Sequence, residues 1–255
     1  MTLTQQNIKE LLLAAGIENA AQEARLLCEA FSSEALMDAV KRRCTHYPLQ
    51  YILGEWGFWK ENYEVSEHCL VPRPDTEHLV EQAIKRLPQN ARFLDLCTGS
   101  GCVAISTLCS RPDTRATAVD LFPETLALAE RNAVRNGVRA RFEPLLCDVL
   151  AGYEGEEFFD AILSNPPYIR AAAMDTLECE VKHEPAAALL GGEDGLDFYR
   201  AILEKWRCHL RKDGFFLFEI GYDQADEIKA LAAKHGLSAT VFRDYGGNDR
   251  VALLQ

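Results

Sequence analysis

No stretch of the 255 residues approaches the roughly 20 consecutive apolar positions that a membrane span requires. The opening segment, "MTLTQQNIKELLLAAG", also lacks the basic flank and cleavage pattern of a secretory leader, so a cytoplasmic protein is expected. None of the nine cysteines forms a C-x-x-C pair, and their odd number and scatter through apolar runs read as reduced core residues rather than a disulfide framework. The six histidines show no metal-ligand spacing with them, so no metal is expected. Positive charge is scarce: 27 Lys and Arg stand against 39 Asp and Glu, a formal net charge of −12. Binding to a phosphate backbone is built from clustered cations, and the one compact basic run, Lys41-Arg42-Arg43, reads as a solvated helix end. No nucleic-acid partner is therefore expected. The chain has no internal repeat and no low-complexity segment.

What is present divides near residue 75. Up to about residue 45 the apolar spacing is helical, with Ile8, Leu11, Leu12 and Ala15 on one face and Leu26, Leu27, Ala30 and Phe31 on another. Residues 46–75 turn aromatic and β-rich, with Gly54 and Gly57 as bend points and Pro72 and Pro74 at the close, and read as a hairpin-like connector. Residues 76–255 alternate strands and helices. "TEHLVEQAIKRL" reads as a helix capped by Asp75 or Thr76, and "LDFYRAILEKWRCHL" as a later one. The strands are "RFLDLC", "RATAVD", "ARFEPLLCD", "FDAILSN" and "GFFLFEIG", then "SATVFRD" and "RVALLQ", which pair as an antiparallel hairpin. Continuous apolar strands between helices imply an α/β fold with a parallel sheet covered on both faces.

Ligands of such a sheet sit beyond the carboxyl ends of its strands, so the residues there carry the chemistry. In "LDLCTGSGCVA", Gly99 and Gly101 allow a tight bend and close approach to a ligand, and the helix that follows offers free N–H groups. Asp120 ends the next strand, where a carboxylate accepts the hydroxyls of a ribose. Asp95 lies inside a strand, where an acid needs a cation or donors. Asp148 is either a loop cap or a contact to an adenine amine. In "SNPPYI", two prolines remove two backbone donors and stiffen the chain. They form a stiff turn, or a socket in which Asn165 and Tyr168 hold one planar amide or amine. About 27 residues separate this motif from the next helix, a loop long enough to shape a site; Glu184-Pro185 and Gly191-Gly192 give it bends, and His183 within it is expected to be structural.

Taken together, "DLCTGSG", Asp120, "NPPY", seven strands and the closing hairpin resemble a class I methyltransferase that uses S-adenosylmethionine. "PLQYILGEWGFW", "LVPRPDTE", "HEPAAALLGGEDGLDFYR" and "RDYGGNDRV" are more specifically similar to the bacterial release factor glutamine methyltransferases. The likeness runs from about residue 48 to the end, while the first 45 residues are similar only in being helical. "NPPY" is the least specific motif, since DNA and RNA amine methyltransferases carry it too.

The resemblance implies a Rossmann-like seven-stranded sheet with a small N-terminal helical domain over residues 1–45 that docks the substrate. It implies S-adenosylmethionine as cofactor, S-adenosylhomocysteine as product, and the glutamine of the Gly-Gly-Gln motif of class 1 peptide chain release factors as acceptor, acted on by a monomer. Cys97, Thr98, Gly99, Ser100 and Gly101 would face the methionine part, Asp95 its ammonium, Asp120 the ribose and Asp148 the adenine. Many family members have glycine at Cys97 and an aromatic at Val149, beside the adenine. Asn165 and the Pro166 carbonyl would grip the substrate amide beside Pro167, with Tyr168 against the amide plane; Arg73, Pro74 and Glu77 would line the pocket. Glutamine methylation of a ribosomal protein, and amine methylation of DNA or RNA, are the rival readings.

Overall fold

The computed structural model describes residues 4–255. Three helices open it: α1 (Gln5–Ala14), α2 (Ala20–Ala30) and α3 (Ser33–Cys44). The Thr4 hydroxyl accepts the Asn7 N–H at 3.2 Å and starts α1. Ile8, Leu12, Ala24, Leu27, Leu36 and Val40 interlock as a small core of their own. Leu11, expected on this face, is 44% exposed, and Ala30 is exposed as well, because the buried stripe follows the four-residue steps Ile8–Leu12 and Ala20–Ala24 instead. The segment expected as a β connector contains a fourth helix, α4 (Leu49–Leu53), whose Leu49 and Ile52 join the same core, so helical packing continues past residue 45. Gly54 ends α4 in the left-handed region, φ +74°. The hairpin follows as β1 (Glu55–Phe58) and β2 (Glu61–Glu64), with Gly57 inside β1 rather than at a bend.

The basic run at the end of α3 departs from expectation. Lys41 and Arg42 are exposed, but Arg43 is buried. Its guanidinium meets Glu23 of α2 at 2.5 and 3.1 Å and Glu180 of the distant loop at 2.5 Å. A buried guanidinium needs such partners, and breaking such a set typically costs about 3–5 kcal/mol.

Residues 77–254 build the sheet and its covering helices: α5 (Glu77–Arg86), β3 (Arg92–Leu96), α6 (Cys102–Ser110), β4 (Arg115–Asp120), α7 (Pro123–Arg135), β5 (Phe142–Leu146), β6 (Phe159–Ser164), α8 (Asp197–Ala201), β7 (Leu210–Glu219), α9 (Ala225–Lys234), β8 (Ala239–Arg243) and β9 (Asp249–Leu254). The strand order is β5-β4-β3-β6-β7-β9-β8, parallel throughout except for β9, which runs antiparallel to both neighbours. Alternate side chains feed two cores. Phe93, Ala161, Leu163, Phe215 and Leu217 face α5, α6 and α7, while Leu94, Leu96, Ile162, Phe216 and Phe218 face α8 and α9. That two-sided burial explains the unbroken apolar runs. The chain leaves β3 outward to β4 and β5 and returns to β6 on its other side, so the carboxyl ends of β3, β4 and β6 meet at the point of reversal.

Three further expectations change. The helix read over "LDFYRAILEKWRCHL" is α8 for five residues and then widens into a π turn, Ile202–Trp206, that carries Trp206 fully inward, its indole N–H donating to the Val149 carbonyl at 2.9 Å. Thr76 stands at the N-cap position of α5, but its side chain makes no cap bond: Pro74–Thr76 form a 3₁₀ turn, and the Thr76 hydroxyl is engaged by Asn165. Among the cysteines Cys69 and Cys102 are buried, but Cys179 and Cys208 are exposed. The long loop is folded as three short 3₁₀ turns, and His183 within it packs edge-on against Tyr47.

Candidate functional site

The site starts where β3 stops. Cys97 takes φ +59° and Gly101 φ +80°, so the backbone turns twice before α6 begins. The Asn132 amide donates to the Ser100 carbonyl at 2.9 Å and the Thr98 N–H donates to the Val119 carbonyl at 2.9 Å, which fix the loop between α7 and β4. Asp95 is buried with its Oδ2 accepting from the Thr98 hydroxyl at 2.6 Å and the Ala104 N–H at 3.2 Å. Asp120 accepts the Gly99 N–H on one oxygen at 3.0 Å and the Phe122 N–H on the other at 3.2 Å. Each Asp120 oxygen keeps a lone pair beyond these.

At the end of β6 the chain enters Asn165-Pro166-Pro167-Tyr168. Two cavities meet there. The first, about 480 Å³, is lined by Asp95, Cys97, Thr98, Gly99, Ser100, Asp120, Asp148, Val149, Asn165 and Pro167. The second, about 420 Å³, is lined by Pro166, Tyr168, Glu184 and Glu219 and by residues of α4 and the long loop. Asn165 and Arg73 line both, so they stand in the shared wall. Asn165 Nδ2 donates to the Thr76 hydroxyl at 3.1 Å, and no donor among the described residues claims its Oδ1 or the Pro166 carbonyl.

Three sequence candidates fall outside these linings. Gly101 opens α6 behind the first cavity. Pro74 sits in the 3₁₀ turn before α5, and Glu77 turns to the β1–β2 hairpin, where it accepts the Trp59 N–H at 2.7 Å. The Asp148 carboxylate accepts the Leu150 N–H at 2.8 Å, a loop cap, while also lining the first cavity.

The motif is clamped from behind by Gly191. A Cβ there would stand 2.7 Å from both the Pro167 carbonyl oxygen and Tyr168 Cα. Because those are backbone atoms, Gly191→Ala is expected to destabilise the chain by about 1–3 kcal/mol. The check is the midpoint of urea unfolding; an unmoved midpoint would show that this contact is not tight.

Burial displaces four carboxyls of the site toward neutrality, Asp95 and Glu219 furthest, Asp120 and Glu184 less. Burial raises Asp95 to about 7 against the opposing bonds from Thr98 and Ala104, and burial raises Glu219 to about 7 against Thr76, Arg250 and Tyr168. The folded chain therefore holds protons that the unfolded chain releases near pH ~4. The resulting stability is full below about pH 4 and is lost as pH rises through about 7. Thermal midpoints of the ligand-free chain should fall from about pH 5 to about pH 8, and Asp95→Asn with Glu219→Gln should flatten the slope. A midpoint that rises over that range would contradict the assignment. The Cys97 thiol is held protonated by burial and by Asp120 and Asp95, which removes it as a nucleophile. Among the described residues, no group of His, Cys, Asp and Glu could hold a metal ion and no helix is long and apolar enough to cross a membrane.

Sequence reasoning missed five contributors. Thr76 passed for a helix cap. Glu219 sits in "GFFLFEIG" as an acid inside an apolar strand, the same signal that picked out Asp95. Leu121 and Phe122, half exposed beside Asp120, form an apolar lip of the first cavity. Glu184 accepts the Val71 N–H at 2.9 Å and pairs with Arg73, which ties the long loop to the shared wall.

This sheet order, with a glycine loop after β3, an acid ending β4 and Asn-Pro-Pro-Tyr after β6, defines a class I methyltransferase. Residues 75–190 match the Methyltransferase small domain family, and the fold is similar to a methyltransferase from Pyrococcus furiosus, TM-score 0.57 at 22% identity over 75% of this chain and 86% of that one. The chain is 41% identical over 220 residues to the release factor glutamine methyltransferase of Salmonella typhimurium, covering 86% of this chain and 79% of that protein, and 36% identical over 268 residues to that of Caulobacter vibrioides, covering 96% and 92%. It belongs to the release factor glutamine methyltransferase family.

Proposed function

We propose that the chain transfers a methyl group from S-adenosylmethionine to the side-chain amide nitrogen of the glutamine in the Gly-Gly-Gln motif of class 1 peptide chain release factors, leaving S-adenosylhomocysteine. The observation that carries this reading is Asn165 in the wall common to both cavities, with an acceptor oxygen that no donor among the described residues occupies. A donor on one side and an acceptor on the other can then meet across it.

The first cavity suits the cofactor. Its volume of about 480 Å³ lies within the range of small-molecule sites, roughly 300–1,000 Å³. Asp120 would accept the ribose hydroxyls on its remaining lone pairs, and Asp148 the adenine amine on the oxygen that Leu150 leaves free. Val149, Leu121 and Phe122 offer an apolar slot for the base, and Cys97, Thr98, Gly99 and Ser100 border the methionine part, with Asp95 toward its ammonium. When bound, S-adenosylmethionine supplies a methyl group made electrophilic by its sulfonium.

On the other side, a carboxamide nitrogen is a poor nucleophile because its lone pair is delocalised into the carbonyl. Asn165 Oδ1 and the Pro166 carbonyl would accept its two N–H bonds and aim it through the shared wall, while Tyr168 packs on the amide plane beside Pro167. Such alignment can be worth roughly 7–11 kcal/mol. No strong base is needed, since the nitrogen turns strongly acidic as it gains carbon and gives up its proton to solvent water. Glu178 and Glu180 lie on the rim of the second cavity, and the one cation among the described residues that line it, Arg73, is paired with the buried Glu184, so that lining offers no unpaired cation to a phosphate backbone. The N-terminal helices are assigned to docking that protein, through the Arg43–Glu180 tie to the same rim. The enzyme is read as a cytoplasmic monomer.

The test is transfer of labelled methyl to a release factor, to its Gly-Gly-Ala variant, to a ribosomal protein and to duplex DNA. Label on the native release factor alone is expected. Label on the ribosomal protein or the DNA but not the release factor would overturn the substrate.

A further inference from the structure

Asn165 can grip a substrate amide only one way round. Its oxygen accepts an N–H; its nitrogen, turned to the same spot, would face the substrate amide donor to donor. What decides between the two lies behind the motif. Thr76 is buried in the 3₁₀ turn before α5, and Asn165 Nδ2 donates to its hydroxyl oxygen at 3.1 Å. A hydroxyl that accepts there must send its own proton elsewhere. Glu219, the last residue of β7, is 2% exposed, faces Thr76, and accepts the Tyr168 hydroxyl on Oε1 at 3.4 Å, leaving a fully buried Oε2 with no partner. A buried carboxylate oxygen without a donor is costly, and the Thr76 hydroxyl is the neighbour with a proton to offer it.

We propose that Thr76 and Glu219 are positioning residues that set the direction of a hydrogen-bond chain: Glu219 takes the Thr76 proton, Thr76 takes an Asn165 N–H, and Asn165 Oδ1 is left for the substrate. The inference rests on the proposed amide-methylating reaction. Were Glu219 to donate instead, Thr76 would donate onward, Asn165 would turn over, and its NH₂ would confront the substrate NH₂. The charge on Glu219 thus governs the orientation of a side chain that it does not touch.

Burial raises Glu219 to about 7, so protonation lies within reach of ordinary conditions. The groups facing it are known. Arg250 of β9 pairs with Asp75 at 3.4 Å and with Asp244 at 3.2 Å; the Tyr168 hydroxyl and the Cys102 thiol of α6, both raised by burial, stay protonated; the Tyr199 hydroxyl, also raised, donates to the Glu219 backbone carbonyl at 2.7 Å. Acidification through about pH 7 should therefore reverse the chain and lower kcat.

The experiment is steady-state kinetics across pH on the full chain and on Thr76→Val, Thr76→Ser and Glu219→Gln, with cofactor affinity by calorimetry as the check on folding. Thr76→Val and Glu219→Gln should lower kcat about 100-fold, the scale of a misplaced reacting group, with KM for the protein and Kd for the cofactor within about threefold. Thr76→Ser, which keeps the hydroxyl, should retain most activity, and Glu219→Gln should lose the decline in kcat on acidification. Parent-like kcat in Thr76→Val and Glu219→Gln, with the parent methylating glutamine, would overturn the inference alone. Parallel loss of cofactor affinity in all three variants would also overturn it, by making the residues merely structural. A parent that methylates no glutamine would remove the proposed reaction, and the inference with it.

Discussion

Asn165→Ala is expected to lower kcat by about 10²–10³-fold while cofactor affinity stays within a few fold. The substitution removes a side-chain acceptor in the shared wall that no donor among the described residues occupies. As the substrate nitrogen gains carbon its N–H bonds grow more polar, so an acceptor there strengthens toward the transition state, and losing it falls on kcat rather than on KM. Cofactor contacts through Asp95, Asp120 and the glycine loop are left as they were. Some stability goes as well, because Thr76 loses its donor, a cost of about 1–3 kcal/mol if no water replaces it. Single-turnover kinetics beside calorimetric titration separates the two readouts. An equal loss of cofactor affinity would assign Asn165 to the first cavity instead.

Asp120→Ala should reverse that pattern, weakening cofactor binding by about 10²–10³-fold. Two effects act together. The ribose would lose two charge-assisted bonds, each worth about 1.5–3 kcal/mol, and the loop would lose the carboxylate that fixes the Gly99 and Phe122 N–H groups. Burial raises the pKa of that carboxylate against the N–H groups of Gly99, Phe122 and Leu121, so the charge is held at a cost. Asp120→Asn, which keeps one oxygen acceptor, should fall between the parent and Ala. Calorimetry showing unchanged affinity would move the ribose away from β4.

The sheet was legible because its physics is local. β4 runs over the residues read as "RATAVD", a short apolar run ended by an acid, and β6 over all but the last residue of "FDAILSN", an apolar run ended before two prolines. The antiparallel hairpin of β8 and β9 follows from the Gly-rich turn between them in the same way. Less visible were features that depend on distant partners. Arg43 reads as a solvated charge until Glu180, 137 residues away, is brought beside it. Thr76 reads as a cap until Asn165, 89 residues on, takes its hydroxyl. Glu77 belongs to the pocket by motif, yet the hairpin turn at Trp59 claims it. For α4 the aromatic composition argued for strand, and the apolar core of α1 to α3 outweighed it by burying Leu49 and Ile52. The residues at the strand ends were found because the sheet's topology leaves them nowhere else to go; those supporting them came from loops whose course no periodicity dictates.

Fragmentation mass spectrometry of a release factor treated with the chain and S-adenosylmethionine bears most directly on the central claim. The account predicts one added methyl, carried on the side-chain nitrogen of the Gly-Gly-Gln glutamine, and a yield lower by about a hundredfold or more in the same short incubation with Asn165→Ala. A methyl on any other residue, or the same yield from Asn165→Ala, would contradict it.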